Sequence, residues 1–243
     1  MLHIVTPLYR FNLLQKVYQS IPNSTEIVWH LSKSESRKEY DFNFFKHDNR
    51  VKVYEIDCKD TDIIAKRNKI FSEINDGYFC MLDDDTIFVK AMFDLYIELK
   101  NEKFIGMAIG NQKYGNGIFK DKATMLTQNF KTNYVNTGMV LSHHSVLKHV
   151  QYESHQEYKL DCYFWSRCFM YFTAQKTKIV NKDISYFNYF GEKLKVRKKI
   201  FGLFINFDIY NPIVVMLYKK ISFLGNKYFF TKRKNNLHHL FNN

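Results

Sequence analysis

The sequence predicts an α/β fold with one mixed central sheet, followed by a basic C-terminal helical extension. Short runs of β-forming residues alternate with stretches of helical spacing through the first half of the chain. The chain has 243 residues, 46% of them hydrophobic, which is enough for one large domain with its own core. We find no internal repeat and no low-complexity linker. We therefore predict one domain over residues 1–192 and an extension over residues 193–243.

The first elements follow from local composition. Residues 2–6 are a short apolar run that Pro7 ends, which predicts a buried strand. Residues 12–21 have helical spacing of apolar side chains, which predicts the first helix. Residues 26–31 and 51–56 are rich in β-formers and predict the second and third strands.

The next elements lead to the most informative stretch of the chain. Apolar residues recur at helical spacing over residues 62–75, and Asp76-Gly77 ends that helix before a strand at residues 78–82. The later elements are predicted as strands at residues 104–109, 134–142 and 179–189 and an aromatic-rich helix at 159–172.

The positive charge is concentrated at the C-terminus. The formal net charge is +12, and residues 193–243 contribute +10 of it, because they hold eleven Lys and Arg and one acid, Asp208. Cations interleaved with large apolar side chains are typical of a helix that lies in a lipid interface. The apolar window 200–218 contains Asn206, Asp208, Asn211 and Pro212, which argues against a transmembrane helix.

We therefore expect the extension to bind an anionic membrane surface. A solvated basic face packed on the domain is the alternative, and binding of single-stranded nucleic acid is disfavoured because the charge is confined to the tail. The N-terminus lacks the charged start and long apolar run of a signal peptide, and the four cysteines show no CxxC pair. The expected location is cytoplasmic, at the inner face of the membrane.

The acidic triplet Asp83-Asp84-Asp85 follows the apolar strand at residues 78–82. Adjacent carboxylates repel each other unless a cation lies among them, and Mg²⁺ or Mn²⁺ is the expected cation. Such a metal neutralises the charge that develops on a nucleotide diphosphate leaving group. The alternative is a solvated acidic turn, which rarely follows a run of apolar residues.

Tyr9 and Arg10 follow the first strand and are expected near the same edge of the sheet as the triplet. A tyrosine ring can stack on a base, and the guanidinium fork matches a phosphate. An ordinary turn with a surface arginine is the alternative.

Three segments in order resemble the β-1,3-glucuronyltransferases of the GT-A fold. They are His3-Ile-Val-Thr-Pro-Leu-Tyr-Arg10, Ala65-Lys-Arg-Asn68 and the segment 78–85, and together they cover about the first ninety residues. The resemblance implies a GT-A-like domain in which Pro7 and Tyr9 contact uridine, Arg67 contacts the diphosphate, Asp83 and Asp84 contact the nucleotide, and Asp85 binds the metal. We also expect donor contacts from Thr6 and Arg10, and Asp83 as a second metal ligand.

The chain departs from the family at two places. The acid that follows the second strand in the family falls near Ser34, with only Glu35 nearby. The late histidine that contacts the diphosphate has no match within residues 186–191, which leaves His238 or His239 as substitutes.

Two further motifs bear on the sugar and on catalysis. The strand around Asn136 and Gly138 resembles one that lies beside the donor sugar in several GT-A families, although a glycine in a strand is more often a bulge. An inverting transferase needs a carboxylate to take the acceptor's proton, and the candidates are Glu153, Glu157 and Asp161. Asp161 is preferred because it begins an apolar helix and lies nearest the family's catalytic Glu, whereas a simple helix cap is the alternative.

These motifs predict a metal-dependent glycosyltransferase that uses a UDP-sugar and a glycan or lipid-linked glycan acceptor. A nucleotidyltransferase with two metals is a rival, although the Gly-rich, Arg-containing loop of sugar-nucleotide pyrophosphorylases is absent after the first strand. A non-catalytic membrane or nucleic-acid binding protein is the second rival. Inversion of configuration is implied by the resemblance alone.

Overall fold

The computed structural model describes most of the first of two units into which the chain divides, Met1–Phe190, and a small part of the second, Gly191–Asn243. The described residues are 1–38, 40, 42–114, 119–121, 123, 135–153, 160–187, 195–200 and 203–208.

A mixed sheet forms the centre of the first unit. Its strands are β1 Leu2–Pro7, β2 Ile27–Ser34, β3 Val51–Ile56, β4 Tyr78–Met81, β5 Ile87–Phe88, β6 Met107–Tyr114, β7 Phe119–Asp121, β8 Val140–His143 and β9 Thr177–Phe187. The helices are α1 Leu14–Ser20, α2 Ile63–Phe71, α3 Lys90–Asn101 and α4 Leu160–Phe172. The predicted α/β class with a mixed sheet is confirmed.

The strand order separates a parallel half from a mixed half. The order is β3-β2-β1-β4-β8-β6-β9-β5, with β7 paired to β6 beside this path. The first four strands are parallel, and β8 runs antiparallel to both β4 and β6. Strands β6 and β9 are parallel, and β5 is antiparallel to β9.

The central strands are buried on both faces. In β1, Leu2 and Ile4 pack with the residues of α1 and α3, whereas Val5 packs with those of α2 and α4. Each of these side chains is fully buried, which explains why the strand reads as a continuous apolar run rather than an alternating one. The sheet therefore lies between two layers of helices.

The turn from α2 to β4 requires a glycine. Gly77 has φ +62°, and a Cβ there would lie 2.0 Å from the Met1 carbonyl oxygen, which accepts a hydrogen bond from Tyr78 N. This close approach sets the start of β4 beside the start of β1.

Some elements differ from the sequence expectation. Helix α3 was not predicted, although its buried residues Met92, Leu95, Tyr96 and Leu99 have helical spacing. The strand predicted at residues 134–142 begins as a short 3₁₀ helix, Thr137–Met139, and only Val140–His143 is extended. The strand predicted at 104–109 begins at Met107, because Lys103 takes φ 51° and Phe104 N still bonds to Leu99 O at the end of α3.

The described part of the extension is an antiparallel hairpin of β10 Lys195–Ile200 and β11 Leu203–Asp208. The helical prediction is therefore wrong for these residues, which are rich in the β-branched and aromatic types that favour strands. The rest of the apolar window 200–218, together with His238 and His239, lies outside the described residues. None of the helices in the described part of the chain has the length and apolarity that a membrane crossing requires.

Candidate functional site

Two loops leave the sheet side by side at the carboxyl edge of its parallel half. Strands β1 and β4 are adjacent and parallel, with Val5 paired to Met81, so the segments that follow them emerge together. Ligands of open α/β sheets bind beyond this edge. One loop carries Tyr9 and Arg10, and the other carries the acidic residues 83–85.

Asp84 holds the loop that follows β1. Its Oδ2 accepts hydrogen bonds from the backbone N–H groups of Tyr9 at 2.7 Å and Arg10 at 2.6 Å. Its Oδ1 accepts from Nε and Nη2 of Arg10 at 2.9 and 2.7 Å. With both oxygens bonded, Asp84 fixes the shape of the Tyr9–Arg10 turn and leaves the Tyr9 ring 51% exposed at the edge.

Asp85 is buried and incompletely bonded. Its Oδ2 forms an ion pair with Nη2 of Arg10 at 2.9 Å, although the angles are poor for a hydrogen bond. Burial raises the pKa of Asp85 to about 6, and the opposing effect of Arg10 does not cancel it. A buried carboxylate needs a cationic partner, and in this structure Arg10 is that partner. No three His, Cys, Asp or Glu side chains in the described part of the chain form a ready-made metal cage.

Arg67 is the centre of a second cluster. Its guanidinium is almost completely buried and donates to Asp83 Oδ1 at 3.1 Å, to Asp161 Oδ1 at 2.5 Å and to the Tyr152 hydroxyl at 2.9 Å. Burial alone would lower the pKa of Arg67, but the surrounding anions outweigh it, so the group stays charged. The cluster joins the acidic triplet to the start of α4.

The first two turns of α2 fix three segments of the site. Asp62 caps the helix by accepting from Ala65 N at 2.9 Å. Lys66, which is buried, donates to the Leu8 carbonyl at 2.6 Å and so holds the end of β1. Arg67 bonds Asp83 and Asp161. Asn68 donates to the Tyr152 carbonyl at 2.9 Å and accepts from its N–H at 3.0 Å.

The 3₁₀ helix Thr137–Met139 approaches the triplet from the mixed half of the sheet. Thr137 Oγ1 donates to Asp83 Oδ2 at 2.9 Å, so both oxygens of Asp83 have protein partners. Burial raises the pKa of Asp83, which Arg67 partly offsets.

A buried amide network lies behind this helix. Asn136 Nδ2 donates to Gln112 Oε1 at 2.9 Å, Gln112 Nε2 donates to Ser185 Oγ at 2.9 Å, and Ser185 Oγ donates to the Gly138 carbonyl at 2.7 Å. A Cβ at Gly138 would lie 2.4 Å from Gln112 Nε2 and 2.5 Å from Ser185 Oγ. Glycine is therefore required at position 138 because the backbone there lies close to the side chains of Gln112 and Ser185.

Several predicted site residues have other positions or partners. The Thr6 side chain is fully buried and accepts a hydrogen bond from the Trp29 indole at 2.9 Å, so this side chain packs in the core. Pro7 is buried at the end of β1. Glu153 pairs with Arg167 at the side of α4. Glu157 lies outside the described residues.

The sequence did not identify Lys66, Thr137, Tyr152 or Gln112. Lys66 and Asn68 belong to the segment Ala65–Asn68 that carries the family resemblance. Their roles could not be predicted, because their hydrogen-bond partners are distant in sequence. A separate groove of about 420 Å³, lined by Tyr18, Asn23 and residues 43–50, includes none of the predicted site residues.

No protein-family model matches the sequence, and no curated protein matches it. Among solved structures the chain is similar to S. aureus TarS 1–349, with TM-score 0.61 and 15% identity over 76% of this chain and 59% of that one. The same region in complex with UDP-GlcNAc gives TM-score 0.61 and 16% identity over 76% and 57%. The complex with UDP gives 0.60 and 14% over 76% and 59%.

This chain thus spans less than three fifths of those structures. At this identity the likeness bears on the fold. It supports a GT-A-like fold, and it does not extend to the β-1,3-glucuronyltransferase family in particular. The domain has a GT-A-like α/β fold.

Proposed function

We propose that this protein is a glycosyltransferase that moves a sugar from a UDP-sugar to a glycan acceptor. The observation that carries the proposal is the meeting, at one sheet edge, of the Tyr9–Arg10 turn, the incompletely bonded Asp85 and the Arg67–Asp161 pair. The likeness to structures that hold UDP-GlcNAc and UDP supports the choice of donor.

The Tyr9–Arg10 turn would bind the nucleotide. The half-exposed Tyr9 ring offers a flat surface on which uracil can stack, and Arg10 offers a cation to the diphosphate. Asp84 keeps both groups in place through hydrogen bonds to the backbone and to the guanidinium. Asp84 thus supports donor binding by shaping the loop.

Asp85 would hold a divalent cation, Mn²⁺ or Mg²⁺. Such ions are bound through one or two carboxylates together with substrate phosphates, so a single protein carboxylate at this position is consistent with the residues present. When bound, the metal would neutralise charge on the departing UDP. The protein supplies the buried Oδ2 of Asp85, which Arg10 Nη2 approaches at 2.9 Å with poor hydrogen-bond angles.

Asp161 would act as the general base. Its carboxylate is 30% exposed at the start of α4 and is joined through Arg67 to Asp83. A base in this place takes the proton of the acceptor hydroxyl while that oxygen attacks the sugar carbon from the side opposite UDP. The reaction would therefore invert the anomeric configuration. Asn136, whose side chain is held by Gln112, would contact the sugar or acceptor.

Arg67 is proposed to serve the diphosphate indirectly. Its terminal nitrogens Nη1 and Nη2 are bonded to Asp83, Asp161 and Tyr152, whereas Nε has no partner among the described residues. The charge of Arg67 would therefore act on the donor mainly by balancing the acids around the site. This differs from the direct contact that the family resemblance implies.

The C-terminal extension is proposed to attach the enzyme to the inner face of an anionic membrane. Its eleven Lys and Arg against one acid support this role. Such attachment would give the enzyme access to a lipid-linked glycan acceptor. Attachment of this kind needs no membrane-spanning segment.

A calorimetric panel of nucleotide-sugars with Mn²⁺, followed by product analysis, tests the proposed function. UDP-GlcNAc is the first donor to examine. A glycosyltransferase releases UDP, whereas the rival nucleotidyltransferase would release or consume pyrophosphate. Lack of binding by every UDP-sugar in the panel would exclude the proposed activity.

A further inference from the structure

Tyr152 and Arg67 contact the same oxygen of Asp161. The Tyr152 hydroxyl donates to Oδ1 at 2.8 Å, and Nη1 of Arg67 donates to Oδ1 at 2.5 Å. Nη1 also donates to the Tyr152 hydroxyl at 2.9 Å, which closes a ring of three groups. None of these hydrogen bonds involves Oδ2 of Asp161. Two donors on one oxygen restrict rotation of the carboxyl group and direct the other oxygen away from them.

Tyr152 is itself firmly held. Asn68 bonds both its backbone N–H and its carbonyl. Its ring stacks on Phe164 with centroids 4.4 Å apart and on Phe71 at 6.0 Å, and the Arg67 guanidinium lies 5.0 Å from the ring centre. A side chain fixed at its backbone and on its ring faces offers its hydroxyl at a constant position.

The Tyr152 hydroxyl is suited to donate rather than to titrate. Burial raises the pKa of Tyr152 well above its usual range, so the group keeps its proton. The proton is therefore available to the carboxylate throughout the reaction.

We propose that Tyr152 is a positioning residue, which holds Oδ1 of Asp161 so that Oδ2 faces the acceptor hydroxyl. The inference rests on the proposed function, because it concerns the base of that reaction. Asn68 supports Tyr152 in this role through the backbone. The reacting proton passes to Oδ2, and Tyr152 neither gains nor loses a proton.

The test compares the wild type, Tyr152→Phe, Asp161→Asn and the double variant. UDP release from UDP-GlcNAc with Mn²⁺ is measured with enzyme in excess, and UDP affinity is measured by calorimetry. Tyr78→Phe is the matched control, because the Tyr78 hydroxyl is also buried and bonds the Leu99 and Phe104 carbonyls away from the site. Thermal unfolding reports the stability of each variant.

Tyr152→Phe is expected to lower turnover about tenfold or more, with UDP affinity within about twofold of the wild type. In the Asp161→Asn background the same change is expected to have no further effect, since Tyr152 acts through the carboxylate. If Tyr152→Phe does not fold, Asn68→Ser removes the backbone support and keeps the hydroxyl, and it is expected to lower turnover while sparing UDP affinity.

Three results would overturn the inference alone while the wild type remains active. They are turnover in Tyr152→Phe equal to that of Tyr78→Phe, losses that multiply in the double variant, and UDP affinity that falls in step with turnover. Absence of UDP release by the wild type from every UDP-sugar would overturn the proposed function and the inference with it.

Discussion

The Arg10 guanidinium and the Asp84 carboxylate form a two-pronged pair that joins the loops after β1 and β4. Nε and Nη2 of Arg10 lie 2.9 and 2.7 Å from Asp84 Oδ1, across 74 positions of sequence. Nη2 also lies 2.9 Å from Asp85 Oδ2. Arg10 thus bonds Asp84 with good hydrogen-bond geometry and forms an ion pair with Asp85 whose angles are poor for a hydrogen bond.

Asp85→Ala is expected to abolish metal-dependent UDP binding, because it removes the carboxylate proposed to hold the cation. Calorimetry of UDP with and without Mn²⁺ measures the effect. Asp94→Ala, an exposed acid on α3, is the control and should bind like the wild type. Unchanged UDP and Mn²⁺ affinity in a folded Asp85→Ala protein would refute the assignment.

Asp161→Asn is expected to bind UDP normally and to lose turnover by about a hundredfold or more, the lower range for removal of a positioned base. UDP release under saturating donor measures it. Glu153→Gln is the control, because Glu153 pairs with Arg167. Near-normal turnover in Asp161→Asn would move the base elsewhere, and a large loss in Glu153→Gln would point to Glu153.

Stability is expected to fall as the pH drops below about 6.5, and His30 contributes to this. His30 is fully buried, bonded to His3 and Tyr54, and burial lowers its pKa to about 3. The unfolded chain takes up a proton near the ordinary pKa of about 6.5, whereas the folded chain does not, so the stabilisation is present above that pH and is lost below it. One such proton changes the free energy of unfolding by at most about 1.4 kcal/mol per pH unit.

Urea unfolding of the wild type and His30→Asn between pH 7 and pH 5 isolates this contribution. Asp85 acts in the opposite direction, since its pKa is raised to about 6, but it is present in both proteins. The variant should show a shallower loss of stability toward low pH. His47→Asn, at an exposed position, should leave the slope unchanged. Equal slopes in wild type and His30→Asn would contradict the expectation.

Gly138→Ala is expected to destabilise the protein by about 1–3 kcal/mol, because the new methyl group overlaps the Gln112–Ser185 hydrogen bond. Chemical denaturation measures the change. Gln112→Ala in the same background should recover part of the loss, since it removes one of the two overlapping groups. Wild-type stability in Gly138→Ala would contradict this expectation, because it would mean that Gln112 and Ser185 can move to make room for the methyl group.

The tail is expected to bind anionic vesicles more tightly than neutral ones. Replacing Lys195, Arg197, Lys198 and Lys199 by Gln should weaken binding, since each cation near an anionic leaflet contributes about 1 kcal/mol. Cosedimentation at low salt and at about 1 M salt, where the screening length is about 3 Å, measures the electrostatic part. A salt-resistant remainder is expected from apolar insertion.

Four body lysines changed to Gln form the matched control for the tail, and they are Lys46, Lys59, Lys103 and Lys148, all exposed. This control alters the net charge equally and should retain vesicle binding. Equal loss in both proteins would mean that total charge matters and the tail has no special role. Failure of the full chain to bind anionic vesicles would exclude a membrane role for the tail.

The parts of the site that follow directly from a strand could be predicted from sequence. The carboxylates 83–85 and the Tyr9–Arg10 turn come straight after buried strands, so the α/β topology alone brings them to one edge. Tyr152 could not be predicted, because its contact with Arg67 spans 85 positions and its contact with Asp161 depends on where α4 begins. The difference between Asp84 and Asp85 could not be predicted either, because it depends on the angles at which Arg10 approaches each carboxylate.

In the fold, too, local elements could be predicted from sequence, whereas contacts between distant residues could not. Strand β3 has the predicted bounds, since Val51–Ile56 is a run of β-formers with clear ends. The sequence alone allows Gly138 to be either a bulge or a point of approach to the donor sugar, but its neighbours in the fold are side chains of β6 and β9. Only the three-dimensional packing identifies such neighbours.

Metal-dependent release of UDP is the reaction that defines the proposed enzyme. The wild-type chain is incubated with UDP-GlcNAc and other UDP-sugars, with Mn²⁺ or with a chelator, and UDP is measured over time. We expect UDP release that requires the metal and that Asp85→Ala abolishes. Release that is equal with the chelator, or that persists in a folded Asp85→Ala protein, would contradict it.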